Sequence, residues 1–179
     1  IDSPTRLEDL MTIYMDAGQP TDKNKFKYYA CMIADVDASG IEWTPLNADG
    51  SFYEYIDFDG KGHTISNLNV KGTYASFAGV LYGSIRNVTF SNATINGGNS
   101  NCGVVAGFIG TNGLPGSCEN VVVTNSTVTG TRYVGGFAGV ARTTGDITGC
   151  RVENTTLTST SYIAGFAAYV DLGSDDKYE

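Results

Sequence analysis

From Ser84 to Ser159 the chain repeats one pattern of apolar and polar positions three times. The segments Ser84–Gly97, Ser117–Gly130 and Asp146–Ser159 place apolar side chains at the same offsets, with polar residues between them. A strand of small residues follows each copy: Val104–Gly107, Gly136–Gly139 and Gly165–Ala168. A period of roughly thirty residues is one at which chains stack into solenoids. Aligned, the copies give four apolar columns. The first holds Ile65, Ile85, Cys118 and Ile147, and the second Leu68, Val88, Val121 and Cys150. The third holds Val70, Phe90, Val123 and Val152, and the fourth Ile95, Val128 and Leu157. The second and third alternate with polar residues, the period of a half-buried strand. Coils stacked about 4.8 Å apart turn each column into a continuous apolar stripe. At ~1.5–3 kcal/mol per buried side chain, four such positions contribute roughly 6–12 kcal/mol per coil before entropy is subtracted. No coil holds its fold alone, so the expected fold is an all-β solenoid.

The polar positions are equally regular. Asn92, Asn125 and Asn154 share one position, and Asn67, Asn87 and Asn120 another, which Gly149 interrupts. Asparagine suits corners because it tolerates the left-handed region and its amide bonds the turning backbone. In the small-residue strands, Phe77, Phe137 and Phe166 form a column whose facing the sequence leaves open, inward being the simpler arrangement, and the glycines imply close backbone approach or a tight bend. Upstream, Tyr28–Ser39 and Phe52–Ile65 read as two irregular first coils. Before them, Leu7, Leu10, Met11 and Tyr14 lie at helical spacing within Pro4–Ala17, with Thr5 as N-cap and Glu8 completing a capping box. This helix is expected to lie across the open N-terminal end of the stack, covering core and strand edges. The expected organisation is one domain: a helical cap over 1–27, then about five to six coils over 28–179, irregular over 28–64 and regular over 65–179. No amphipathic segment follows the last repeat, so that end is expected to meet further repeats or a partner.

Composition narrows the function. The 179 residues carry 11 Lys and Arg against 19 Asp and Glu, a net charge of -8. With no basic cluster to neutralise phosphates, nucleic acid is an unsuitable partner, and so is an anionic membrane surface. No apolar run approaches the length of a membrane helix. Cys31, Cys102, Cys118 and Cys150 match no zinc spacing. Cys118 and Cys150 stand where other copies have Ile and Val, so they read as core hydrophobes and all four as reduced thiols.

The segment Phe58-Asp59-Gly60-Lys61-Gly62-His63-Thr64-Ile65-Ser66-Asn67-Leu68 resembles the F-D-G-x-G-H-T-I-x-N-L segment of GLUG-repeat proteins. Gly136-Phe137-Ala138-Gly139 is similar to the signature that names them, with Phe for Leu; Val104 and Ala168 depart from it in other copies. Leu7-Glu8-Asp9-Leu10, Asp35-Val36-Asp37 and Trp43-Thr44-Pro45-Leu46 resemble the family's cap, its D-I-D strand and its W-x-P-I element. The resemblance spans the chain and implies a right-handed parallel β-helix with a short capping helix. It also implies a secreted or cell-surface setting, usually bacterial and often adhesin-like. It carries over no catalytic residue and no cofactor.

Four candidate sites stand out. His63 is the only histidine, but catalysis would need a nucleophile or acid beside it. Asp35 and Asp37 lie 22 residues before Asp57 and Asp59; if the pairs stack, four carboxylates converge into an oxygen shell suited to calcium. Against this, Asp59-Gly60 is an ordinary turn and solvated carboxylates explain both pairs. Thr94, Thr127 and Thr156, with Asn96, Thr129 and Thr158, form outward rows of the sort found on ice-binding solenoids, though threonine is also what exposed strands prefer. Tyr133 and Tyr162 occupy equivalent positions on adjacent coils, where exposed aromatics can stack on sugars or meet a protein. The leading expectation is a non-enzymatic surface module for adhesion or for contact with a glycan or partner surface protein. The alternatives are a polysaccharide lyase or glycosidase on the same fold, and a structural spacer. The acids and bases of the regular coils read as scattered, which argues against the enzyme.

Overall fold

The computed structural model describes residues 1–16, 27–48, 55–111, 113–142 and 144–171. The side chain of Tyr14, the start of the second irregular coil before Tyr55 and the tail after Asp171 lie outside the described residues. The fold is a parallel β-solenoid of about five turns with a single short helix among the described residues. All pairings between the described strands are parallel, and one isolated bridge outside them, Thr111 to Leu114, is antiparallel. Four stretches make each regular coil. The longest face runs through Tyr55–Asp59, Ala78–Ser91, Gly116–Thr124 and Thr144–Thr148. The second carries Asn69–Lys71, Thr94–Asn96, Thr127–Thr129 and Thr156–Thr158. A short ladder joins Tyr133–Gly135 to Tyr162–Ala164. The start of Ala78–Ser91 pairs with Ala106–Ile109, which leads through Ala138–Ala141 to Ala167–Val170.

The columns hold from Ile85 onward and are corrected before it. Phe58, Ile85, Cys118 and Ile147 share one interior column. Val36, Ile65, Phe90, Val123 and Val152 share a second, and Val70, Ile95, Val128 and Leu157 a third. Ile65 therefore stacks on Phe90 and not on Ile85, and Val70 on Ile95 and not on Phe90. Leu68 moves with them: Asn69 pairs with Thr94, which places Leu68 beside Ala93 and away from Val88. The cause is the corner after Asp59. Phe58 to Ile65 spans 65 − 58 = 7 residues where Ile85 to Phe90 spans 90 − 85 = 5. Lys61 and Gly62, at φ 53° and 85°, turn the extra length outward.

The asparagine rows shift accordingly. Asn67, Asn92, Asn125 and Asn154 form one left-handed corner, at φ 59°, 55°, 51° and 47°. Asn87, Asn120 and Gly149 form the other, at 52°, 52° and 64°. Gly149 keeps the corner's conformation while dropping its amide: a Cβ there would come within 2.4 Å of the Asn120 Oδ1. The Asn120 amide donates to the Asn87 Oδ1 at 3.2 Å, so these corners bond from coil to coil.

The phenylalanine column, whose facing the sequence left open, points inward. Phe77 and Phe137 are fully buried, Phe166 is half-buried, and the Phe137 and Phe166 rings stack 4.4 Å apart. Trp43 stacks on Phe77 at 4.9 Å, and its indole N–H donates to the Phe77 carbonyl. Cys118 is buried and Cys150 half-buried, both in the core, and all four thiols are free.

The helix spans Pro4–Asp16 and buries Leu7 and Leu10 against the first coils, with Met11 partly covered. Its cap differs from the expected box. Pro4 is the first helical residue, where a missing N–H costs nothing, so Ser3 is the N-cap. The Ser3 Oγ accepts the Arg6 N–H at 3.4 Å. Thr5 and Glu8 lie inside the helix, too far along to form the box.

Candidate functional site

The stacked-carboxylate expectation is not met. Asp57 and Asp59 lie beside Tyr29 and Cys31, whereas Asp37 pairs with Ser66 on a different stretch of the coil. Each carboxylate has local work. Asp35 accepts the Thr64 N–H at 2.8 Å and lies 3.1 Å from the His63 Nδ1; the backbone bond, then the imidazole, holds its carboxyl below the usual range. The Asn67 amide and then the Ser39 N–H do the same for Asp37, a turn-closing arrangement. Among the described residues, no three His, Cys, Asp or Glu side chains gather to hold a metal. Nor is any hydroxyl or thiol hydrogen-bonded to the His63 ring among them, so His63 and Asp35 form a pair without a nucleophile.

Asp59 is the best-buried of the four. Burial opposes its ionisation. The Lys61 N–H at 3.0 Å, the Asn87 amide at 3.1 Å, the Lys61 ammonium and the Arg86 guanidinium at 3.2 Å outweigh it and hold the carboxyl far below its ordinary value. This carboxylate fixes Arg86 against the sheet, where Nη1 also reaches the Ser84 Oγ at 3.3 Å.

That fixed arginine lies in a groove that the scattered-charge expectation missed. On the outer side of the longest face, Asp57, Ser84 and Ser117 stand in one row, and Asp59, Arg86, Glu119 and Thr148 in the next. All of these except Asp59, which sits beneath Arg86, join Tyr55, Pro115 and Asp146 in lining an open groove of about 620 Å³ that crosses four coils. The Ser84 hydroxyl donates to Asp57 at 2.7 Å and the Ser117 hydroxyl to the Gly83 carbonyl at 3.1 Å. Glu119, Asp146 and Thr148 are exposed. The repeat register contained these rows all along, but the misaligned first coil detached Asp57 and Asp59 from Ser84 and Arg86.

Rung spacing limits its chemistry. Asp57 lies two coils from Glu119 and three from Asp146, about 10 and 14 Å at ~4.8 Å per rung before any offset along the strand. Paired carboxylates of glycosidases stand roughly 5–9.5 Å apart. Glu119 and Asp146 are on adjacent coils, yet both are solvated, without the apolar enclosure that makes a general acid. Arg86, the groove's cation, is occupied by Asp59.

The other candidate residues fall as the repeat places them. Tyr133 and Tyr162 pair in register and their rings stack at 4.8 Å and 17°. Tyr169 adds a third ring 5.4 Å from Tyr133, and the Arg132 guanidinium lies 5.4 Å over the Tyr133 ring. The threonine rows form in register too, but their first rung carries Asn69 and Lys71, leaving a short, interrupted array.

Comparison with known proteins agrees with this architecture. Residues 130–158 match the family model of the GLUG motif. Halomucin from Haloquadratum walsbyi is 33% identical over 152 residues, which is 75% of this chain and 2% of halomucin. A crystal structure of a Bacteroides ovatus protein named as a candidate immunoglobulin A1 protease superposes with a TM-score of 0.70 at 28% identity, covering 99% of this chain and 62% of that one. The chain thus spans a small part of halomucin and less than two thirds of the Bacteroides protein. The motif and the halomucin match point to a β-helix module of a surface protein, in a cell-surface or extracellular setting. Halomucin is archaeal, so it lends no support to a bacterial source. No described helix is long and apolar enough to cross a membrane.

Proposed function

With the chain placed in the GLUG-repeat β-helix family, we propose that it is a non-enzymatic contact module of a surface protein, adhering through a neutral glycan laid across the coils. The groove from Tyr55 to Thr148 carries this reading. It repeats hydrogen-bonding side chains at the rung spacing, close to the length of one sugar unit in a chain. Carboxylates and hydroxyls accept from and donate to sugar hydroxyls, while Tyr55 and Pro115 supply apolar surface for ring faces. Asp57, Glu119 and Asp146 give the groove a negative field that Arg86, neutralised by Asp59, does not offset, so acidic polysaccharides are repelled.

The protease named for the Bacteroides relative and the lyase or glycosidase alternative both need a catalytic constellation. The His63–Asp35 pair and the spacing of the groove carboxylates argue against one here. A glycan array probed with this chain is expected to show binding to neutral glycans, weakened at least tenfold in a Glu119→Ala/Asp146→Ala variant. Release of new reducing ends would replace the contact reading with an enzymatic one. Absence of glycan binding would leave the spacer.

A further inference from the structure

The asparagine corners differ in what their amides do. Asn67, Asn87 and Asn120 spend theirs on neighbours. The Asn67 amide donates to Asp37 at 2.8 Å, the Asn87 amide to Asp59 at 3.1 Å and the Asn120 amide to the Asn87 Oδ1 at 3.2 Å. Asn92, Asn125 and Asn154 are exposed, and their side chains make no hydrogen bond among the described residues. These three free amides share a second property. Each opens the tripeptide Asn-X-Thr: Asn92-Ala93-Thr94, Asn125-Ser126-Thr127 and Asn154-Thr155-Thr156, with no proline between. That tripeptide is the acceptor signal for Asn-linked glycosylation on the surface of exported chains. Corner asparagines and strand-opening threonines each have a backbone reason, so the motif by itself decides nothing. The state of the amide adds what the motif lacks. Asn67 holds the same corner but reads Asn67-Leu68-Asn69, and its amide is taken. Asn87-Val88-Thr89 is a fourth copy of the tripeptide, yet Asn87 is half-buried and its amide is bonded at both ends, to Asp59 and to Asn120. The threonines agree: Thr94, Thr127 and Thr156 are exposed, and their hydroxyls bond to no described residue.

We propose that Asn92, Asn125 and Asn154 are acceptors of Asn-linked glycans, which form a row along this corner of the solenoid. In the transfer the asparagine Nδ2 bonds to C1 of the first sugar of a lipid-phosphate- or lipid-pyrophosphate-linked oligosaccharide. The C1–O bond to the phosphate breaks, the phosphate leaves with the electron pair, and the amide gives up one proton to a base of the transferase. No group is oxidised or reduced. A cell-surface or extracellular setting takes the chain along the export route on which this modification is made. Neighbouring linkages stand one rung apart, about 4.8 Å, which sets the attached sugars side by side. Asn125 is exposed with a coil on either side of it, so its exposure owes nothing to the open end of the stack. The row lies outside the groove from Tyr55 to Thr148, so the proposal does not rest on the glycan-contact reading.

Glycopeptide mass spectrometry of the full chain, exported from the cells that naturally make it, tests this. Fragmentation assigns each sugar to a side chain. Expected is a glycan on Asn92, Asn125 and Asn154 and none on Asn87. Thr127→Ala, expressed in the same cells, is expected to lower occupancy of Asn125 at least tenfold, while Thr127→Ser retains it. Thr127 is exposed, so neither substitution disturbs the core. Three results overturn the proposal: unmodified asparagine at all three corners, occupancy of Asn87 equal to theirs, or sugar on the threonine hydroxyls in place of the amides.

Discussion

The middle coils and the last coil have nearly the same sequence pattern but different physical states. Val123, Val128 and Phe137 are sealed between neighbours, while Val152, Leu157 and Phe166, their counterparts one rung on, are partly open to water. Nothing local distinguishes the two sets. What differs is the presence of a coil on the second side, so burial in this fold belongs to the stack and not to the rung. The helix at the N-terminal end supports the same conclusion from the opposite direction: Leu7 and Leu10 do for the first coils what a preceding coil would do.

Substitutions at matched positions can break this comparison. Phe137→Ala in the middle is expected to cost ~3–5 kcal/mol, and Phe166→Ala about half as much, because less surface leaves water there on folding. Urea unfolding followed by tryptophan fluorescence, which reports Trp43 beside Phe77, would measure both; equal losses would mean that the last coil is covered. At the capped end, Leu7→Ala is expected to cost ~2–5 kcal/mol, since the leucine is as buried as any core residue. A near-neutral result would show that the helix does not close the stack.

Corners sharpen the comparison with a smaller effect. Asn125→Val forces a β-branched residue into φ 51° and is expected to cost ~1–2 kcal/mol, whereas Asn125→Gly stays within a few tenths of the parent. Chemical denaturation of the pair separates conformational strain from loss of the amide, because both variants lack it. The equivalent pair at Asn154 should show the same sign with smaller amplitude.

Acid tests Asp59 in particular. Its folded-state carboxyl is held far below the unfolded value of about 3.9, so its contribution is fully present above that pH and is lost as pH falls through the folded value. The unmutated chain should lose stability on descending below about pH 4. Asp59→Asn should be less stable at neutral pH and should show a shallower loss over the same descent. Melting temperatures measured between pH 6 and 2.5 give both slopes; parallel curves would remove Asp59 from the acid response. The smallest change is expected at the threonine rows, where Thr127→Ala stays within about 0.5 kcal/mol.

The repeat made the parallel stack and the left-handed asparagine corners legible in the sequence, but it left the facing of the phenylalanine column open, because small residues alternate with Phe on both sides of that strand. It failed where the period changed. Two extra residues at the corner Lys61–Gly62 shifted Ile65, Asn67, Leu68 and Val70 by a column, and the same slip hid the groove, because Asp57 and Asp59 no longer lined up with Ser84 and Arg86. The capping box failed for a different reason. Thr5 and Ser3 are both acceptable caps, and Pro4 decides between them by fixing the first helical residue. The Asp35–Asp37 pair resembled the Asp57–Asp59 pair in spacing alone. Spacing within a strand does not say which strand is the neighbour, and Cys31 in fact occupies the rung beside Asp59.

Native-state hydrogen exchange along the stack tests the central claim most directly. If neighbours on both sides hold each coil, protection should be greatest at Phe90 and Val123, lower at Val152, and lowest at Ile163 and Val170, falling along the axis within otherwise equivalent positions. Equal protection at Val123 and Val152, or at Val134 and Ile163, would contradict it.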